Sequence, residues 1–468
     1  MKIMLGIAAA LTFAAATQAQ DSQLPTVQAA GREALSLTLY SGDLALVRER
    51  RQLRLPGGQV RVNLGQVPAL LRPETVMLRP LGNGAFKLLE QDFDARVLTP
   101  QTLLQQHVGR EVTVLRQHPV TGEDRSERAT LLAAGNGAVL RFADRIETHY
   151  PGRIVFDRLP PGLQPNPTLS VLAESAAGPQ TFELAYQTGG LSWKTDYVAR
   201  LSADGRSLDL SGWVTLANRS GTDYSNASLQ LVAGSPNRVQ DRSMASDRMA
   251  PAAMLRASPG PTEETLLDYH LYRFERPVTI ADQQTRQLAL LTATAVPVRR
   301  EYLLASSEPF QLERQDQPAQ TLKPSVYLEF DNRGNQLGQA LPAGVIRVYS
   351  HDREGATQFI GEDRIAHTAR DETIRLRLGT AFDLSAKRQQ TGFRQLGERS
   401  SESSWRLSLH NARSEAVTIR VLETLPGDWE IVQESQRSHK DSAHAASWSV
   451  AVPAGGSAQL DYTVRTRW

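Results

Sequence analysis

The sequence predicts an all-β protein: serial β-sandwich domains, a small SH3-like barrel segment with one short helix, and an immunoglobulin-like sandwich at the C-terminus. Three observations predict it. Short runs in which apolar and polar residues alternate fill most of the chain, the period of a half-buried strand. Turns rich in Gly, Pro, Asn and Asp separate those runs, and helix signals mark only one stretch. The densest strand-and-turn pattern lies between Ala185 and Val232, where Leu201-Ser202-Ala203-Asp204-Gly205 closes one run and Leu208-Asp209-Leu210 opens the next. An Asp-Gly pair between apolar runs marks a hairpin, because Gly tolerates the positive φ of the turn.

Composition bounds the chemistry. A chain of 468 residues requires several domains. The formal charge is only +2 and the basic residues are scattered, so no nucleic-acid partner is expected. With no cysteine, disulfides, thiolate catalysis, cysteine zinc sites, iron–sulfur ligation and acylation of an N-terminal cysteine are excluded. No cofactor is expected.

The elements follow in order. Lys2, the apolar run Ile3 to Ala16 and Thr17-Gln18-Ala19 read as a signal peptide over 1–19, cleaved after Ala19. This predicts a periplasmic or secreted protein, and no later stretch is apolar and long enough for a transmembrane helix. Residues 20–34 read as a flexible leader. Alternating leucines from Leu35 and valines around Val60 and Val62 predict an N-terminal β domain over 35–98. Thr99 as cap, Pro100 in the first turn and Gly109 as terminator predict the helix, which opens the barrel segment over 99–160. A central sandwich is predicted over 161–370, interrupted by a proline-rich mobile loop at 234–263. Met244, Met249 and Met254 in that loop are five residues apart, a spacing that puts them on no single helix face, so a solvated loop is expected there. Seven alternating runs predict the C-terminal sandwich over 371–468.

Several of these runs together resemble a known family. Gly190-Leu191-Ser192-Trp193 with Asp196-Tyr197, Gly212-Trp213-Val214 and Leu229 to Gly234 are similar to a bacterial domain of unknown function shared with mucoidy-inhibitor-A-like proteins. The likeness continues through Leu328-Glu329-Phe330-Asp331-Asn332, Leu341-Pro342-Ala343-Gly344, Arg347-Val348-Tyr349, Phe359-Ile360-Gly361-Glu362-Asp363 and Leu425-Pro426-Gly427-Asp428-Trp429. It covers most of the chain after about Gln180, and Leu35 to Leu98 is similar to the N-terminal region of the same proteins. The mucoidy-inhibitor type carries a long coiled coil where this chain has its barrel segment. The resemblance implies fold and export, and it brings no catalytic residues.

Candidate sites are few. There is no GxSxG elbow, HExxH, Walker loop or GxGxxG after a strand. Glycoside hydrolysis needs paired carboxylates; Asp196, Asp209 and Asp223 are the candidates, with Trp193 and Trp213 as a sugar platform. Against that, both tryptophans occupy apolar strand positions and are expected to fill the core, and Asp223 sits where turns favour Asp. His439, Asp441 and His444 are the weak metal candidates, expected to be a hydrated loop. His351-Asp352 and Glu362-Asp363 with His367 are expected to approach across a hairpin. Trp429 is expected at a structural corner. The alternating end Leu460, Tyr462, Val464, Thr466, Trp468 has the form of an outer-membrane barrel strand, but reads better as the closing strand of a sandwich.

The expectation is an exported, non-enzymatic scaffold or binding module for another envelope protein or polymer. The alternative is a carboxylate-dependent hydrolase acting on envelope glycan.

Overall fold

In the computed structural model, strands hold 64% of the chain and helices 3%. Described are residues 24–468 except 30, 119–120, 136, 149–151, 161–162, 235–261, 267–268, 307–309, 316–317 and 335, and the backbone alone for 262–266. The signal segment 1–19 and Met244, Met249 and Met254 lie outside the described residues.

The chain forms two units, one from Met1–Ala34 with Arg48–Tyr186, the other from Leu35–Val47 with Gln187–Trp468. The expected N-terminal domain is therefore divided. Strand Ala34–Tyr40 pairs in parallel with Tyr224–Ala233, from Ser36 opposite Ser228 to Tyr40 opposite Val232. Parallel partners are far apart in sequence, so local pattern does not reveal them.

In the first unit one sheet runs in the order Thr26–Gln28, Gly58–Gly65, Thr168–Ser175, Phe86–Asp94. Val60, Val62 and Leu64 and their neighbours Leu169, Val171 and Ala173 are all buried, as the alternation demands. Residues 168–175, placed by the sequence in the central domain, thus complete this sheet. The helix Pro100–Gln106 starts as expected: Thr102 N–H donates to Thr99 Oγ1 (3.1 Å) and Thr99 N–H to Thr102 Oγ1 (2.8 Å), a capping box. A five-stranded sheet follows, in the order Ile146–Glu147, Gly137–Arg141, Asp124–Gly135, Glu111–Gln117, Arg153–Val155. It has its own core of Val112, Val114, Ala129, Leu131, Leu140 and Phe142, against which Leu104 of the helix packs. Elsewhere in this unit the buried Glu49 carboxylate accepts from Arg51 (2.6 Å), Arg32 (3.1 Å) and the Tyr186 hydroxyl (2.5 Å).

The second unit begins with the hairpin expected around Gly205. Strand Leu191–Leu201 (β1) pairs with Ser207–Asn218 (β2). Gly205 takes φ +67° and its N–H donates to the Ser202 carbonyl at 2.9 Å. With Thr285–Pro297 (β3), Gly344–His351 (β4) and Thr357–Ile365 (β5) they form a sheet ordered β3-β2-β1-β4-β5, β4 lying parallel to β1. Its inner face is built from Trp193, Tyr197, Leu210, Val214, Leu216, Ile346 and Val348. The buried Tyr197 hydroxyl donates to the Pro342 carbonyl at 2.8 Å, and burial pushes its pKa well above that of a free phenol.

The C-terminal sandwich has two sheets. The six-stranded one runs Thr373–Thr380, Ser325–Asp331, Arg299–Ala305, Val417–Thr424, Ala445–Val452, His439–Ser442. The five-stranded one runs Gln320–Leu322, Leu384–Gly397, Ser400–Asn411, Ser457–Arg467, Asp428–Glu434. All seven runs expected after 371 are strands here, but three more come from 299–331. The sandwich therefore starts earlier than its predicted boundary, again partly through a parallel pair, Tyr302 to Ala305 beside Ile419 to Leu422. Trp405, Trp448, Leu460, Tyr462 and Val464 fill the core, so the alternating C-terminal strand faces the sandwich interior. Arg388 and Glu423 form a buried ion pair at 2.8 Å, with the guanidinium 3.6 Å from the Trp405 ring centre. No helix among the described residues is long and apolar enough to cross a membrane.

Candidate functional site

The second unit's five-stranded sheet carries the candidate surface. Strand geometry sends alternate side chains to opposite faces. On β2 the inward set is Leu208, Leu210, Gly212, Val214 and Leu216, so Trp213 points outward. This corrects the expectation that both tryptophans fill the core. Trp193 is 8% exposed and faces inward; Trp213 is 40% exposed on the other face. Apolar type alone misled, whereas counting the phase from Leu208 predicts the result. Gly212 sits at a tight inward position: a Cβ would stand 3.0 Å from the Tyr197 ring and 3.1 Å from Leu291, and both would have to give way.

Beside Trp213 in the antiparallel register lies Asp196. Its carboxylate accepts from Arg347 Nη1 at 2.9 Å and pairs with Lys194 Nζ at 3.4 Å. Burial pushes the Asp196 pKa up, but Arg347 and Lys194 outweigh it and hold the carboxyl below the usual range. A general acid needs the opposite shift. Arg347 also reaches Glu362 at 3.2 Å. Farther along the sheet, the Tyr349 and Phe359 rings meet edge-on at 5.7 Å, and Phe359 is 55% exposed. Arg347 and Phe359 belong to the runs that carry the family likeness but were not among the site candidates; the parallel pairing of β4 to β1, invisible locally, brings Arg347 to Asp196.

The three acids do not converge. Asp209 lies four residues from Trp213 toward the hairpin turn, where it accepts from Ala295 N–H at 3.0 Å and faces Arg200 at 3.9 Å. A shallow pocket of about 240 Å³ joins it to His351. Asp223 lies beyond the opposite end of β2 and accepts from the Asp282 N–H at 2.7 Å, which ties two turns together. No pair of these carboxylates faces a common point.

The histidine groupings separate as well. In the β4–β5 hairpin Arg347 pairs with Glu362, and His351 pairs with Thr357 at the turn end. His367 lies past Ile365 at the other end, its Nδ1 accepting from Ala343 N–H at 3.2 Å. The expected approach of His351-Asp352 to His367 does not occur, because a hairpin brings together residues equidistant from its turn. Asp352 is engaged within the turn by Glu354 and Ala356 N–H. At the metal candidate, Asp441 is held by Arg420 at 3.1 Å, with the 80%-exposed His439 at 3.8 Å. His444 donates its backbone N–H to Ser442. No cluster of three ligating side chains occurs among the described residues. Trp429, expected at a corner, is the second residue of the strand Asp428–Glu434, its Nε1 donating to the Ala443 carbonyl at 2.7 Å.

A cavity of about 790 Å³ lies along β3, at the edge of the same sheet. Phe274 to Val278, Arg286, Leu288 to Thr292 and the loop at Gln336, Leu337 and Gln339 line it. Among the described residues β3 pairs with β2 alone. The sequence reading missed this feature, since its walls come from three separate stretches.

No curated protein matches the chain. Residues 182–468 match the family model described as Domain of unknown function (DUF4139), a span that begins close to where the chain enters the second unit for good. The chain belongs to the DUF4139 family.

Proposed function

We propose that the protein is an exported, non-enzymatic β-rich binding module of the bacterial cell envelope, related to mucoidy-inhibitor-A-like proteins and holding another envelope protein or polymer. A signal peptide cleaved after Ala19 delivers it to the periplasm or the medium. The observation that carries this reading is Trp213, a large aromatic 40% exposed in the middle of a sheet face, beside the Asp196–Arg347 pair. Exposed aromatic surface rimmed by polar groups marks interaction sites, and Trp and Arg dominate binding energy there. The dispersal of Asp196, Asp209 and Asp223 supports binding over glycan hydrolysis.

The test is capture from envelope extracts with the tagged mature protein and its Trp213→Ala variant, followed by rebinding of the purified captured component. The expected result is one component retained by the wild type and lost by the variant. Equal recovery by both, or none, overturns the assignment of this face.

A further inference from the structure

We propose that the open edge of β3 receives an extended, acidic segment of a partner polypeptide as an added strand. This rests on the binding-module reading and names the partner's chemistry.

The backbone phase sets the site. Asn218 N–H donates to the Gln284 carbonyl at 3.0 Å, so that pair is hydrogen-bonded across β2 and β3. Antiparallel pairs alternate. Arg286 with Leu216 and Leu288 with Val214 are therefore bonded pairs, and Thr285, Gln287 and Ala289 turn their N–H and C=O toward the open edge. That edge offers donors and acceptors at the repeat of a polypeptide strand, which a glycan does not match.

Charge selects the strand. Arg276 and Arg286 line the cavity and Glu275 is the one acid in its lining. Two copies of this edge would bring like positive charges together, whereas an acidic segment complements them. A bulge interrupts β3 after Ala289, where Leu290 is the extra residue and both Leu290 and Leu291 are buried. Bulges limit runaway edge pairing. The added strand is thus short, confined to residues 285–289, with the rest of the cavity along Leu290 to Thr292 left for side chains.

The outer face supplies a second contact. Ala289 is the cross-strand neighbour of Trp213, and both are exposed. An apolar partner side chain opposite Ala289 meets no bulk there and lies on the same face as the indole, about 10 Å away at two strand spacings.

The test uses the mature protein and a fluorescein-labelled, end-capped peptide Val-Glu-Val-Thr-Val-Glu, read by fluorescence anisotropy. Its lysine counterpart and a backbone N-methylated form are the comparisons. Ala289→Pro removes an edge donor but no bond to β2, so the fold should persist. The expected result is saturable binding of the acidic peptide, weakened about tenfold or more by N-methylation, by lysine and by Ala289→Pro, with an unchanged melting temperature. Arg276→Glu with Arg286→Glu should invert the charge preference. No binding, or binding indifferent to N-methylation and to Ala289→Pro, overturns the proposal. A wild-type dimer abolished by Ala289→Pro assigns the edge to a second copy and also overturns it. If the peptides fail while a captured component still depends on Trp213, strand addition falls and the binding-module reading stands.

Discussion

The C-terminal sandwich and the five-stranded sheet before it place their exposed aromatic rings differently: the sandwich leaves Phe382 in a turn and Trp468 at its last residue, whereas the sheet exposes Trp213 and Phe359 within strands. The sandwich buries Trp405 and Trp448 between its sheets, and the Trp448 ring stacks on Tyr462 at 4.6 Å. Outside, ion pairs such as Arg375–Glu301 (2.6 Å) and Arg420–Glu301 (3.2 Å) dress its six-stranded sheet. The five-stranded sheet buries one tryptophan, exposes the other, and ends in an edge beside a cavity. Apolar surface removed from water stabilises a domain, while apolar surface left in water is available to a partner. On the proposed reading one region serves stability and the other contact, and substitutions can test that division.

The largest effect is expected at the pair inside the sandwich. Glu423→Gln leaves the Arg388 guanidinium buried without its counter-charge and should cost about 3–5 kcal/mol. Trp213→Ala, on the open face, should cost less, about 1–2 kcal/mol, since part of the ring is already in water. Denaturant unfolding of the two variants makes the comparison. Replacing both members, Arg388→Met with Glu423→Leu, should recover most of the loss, since a buried pair adds little over apolar packing. Comparable losses for Trp213→Ala and Glu423→Gln would erase the contrast between the regions.

Glycine turns give the next contrast. Gly427 takes φ +64° against the Arg467 carbonyl, which a Cβ would strike. Gly427→Ala should cost about 2 kcal/mol or more, as the backbone cannot yield. Gly205, at the hairpin tip, has a similar φ of +67°, but there the Cβ would meet only the end of the Arg300 side chain. Gly205→Ala should cost about 1 kcal/mol, from the left-handed conformation alone. Thermal melts of both variants measure the difference, and an equal loss would mean that the corner is no tighter than the tip.

How much of this was legible follows from how far each signal reaches along the chain. The hairpin at Gly205, the helix cap at Thr99 and the closing strand from Ser457 were readable because each is set by residues within one turn or one strand. The make-up of the second unit was not, because parallel pairs within it join distant stretches of chain: Ser36 beside Ser228, Thr195 beside Gly344, Tyr302 beside Ile419. Trp213 was misjudged although local phase was enough to place it. Arg347 and the cavity along β3 needed tertiary structure, since their parts come together across more than a hundred residues of chain or from three separate stretches.

A smaller effect probes how firmly the inner face of the contact sheet is held. Tyr197→Phe removes the hydroxyl that donates to Pro342 and leaves that carbonyl without its donor. The expected cost is about 1 kcal/mol. A larger loss in chemical denaturation would place the sheet's inner face on a par with the sandwich core.

The smallest effect belongs to Asp196, and it reports whether the outer face behaves as solvent-exposed surface. Burial raises its pKa, and Arg347 and Lys194 lower it by more, so the folded value lies below the unfolded one. A depressed carboxyl stabilises the fold above the unfolded pKa of about 3.9, and that stabilisation is lost as pH falls through the folded value. The wild type should therefore outlast Asp196→Asn near neutral pH, and the gap should close on acidification below about pH 4. Added salt should narrow the gap at neutral pH, because the Lys194 and Arg347 side chains are 69% and 36% exposed and ions screen such charges over about 10 Å at 0.1 M. A gap that salt leaves untouched would mean the pair is shielded as Arg388 and Glu423 are, and the face around Trp213 would then belong with the closed sandwich instead of the contact surface.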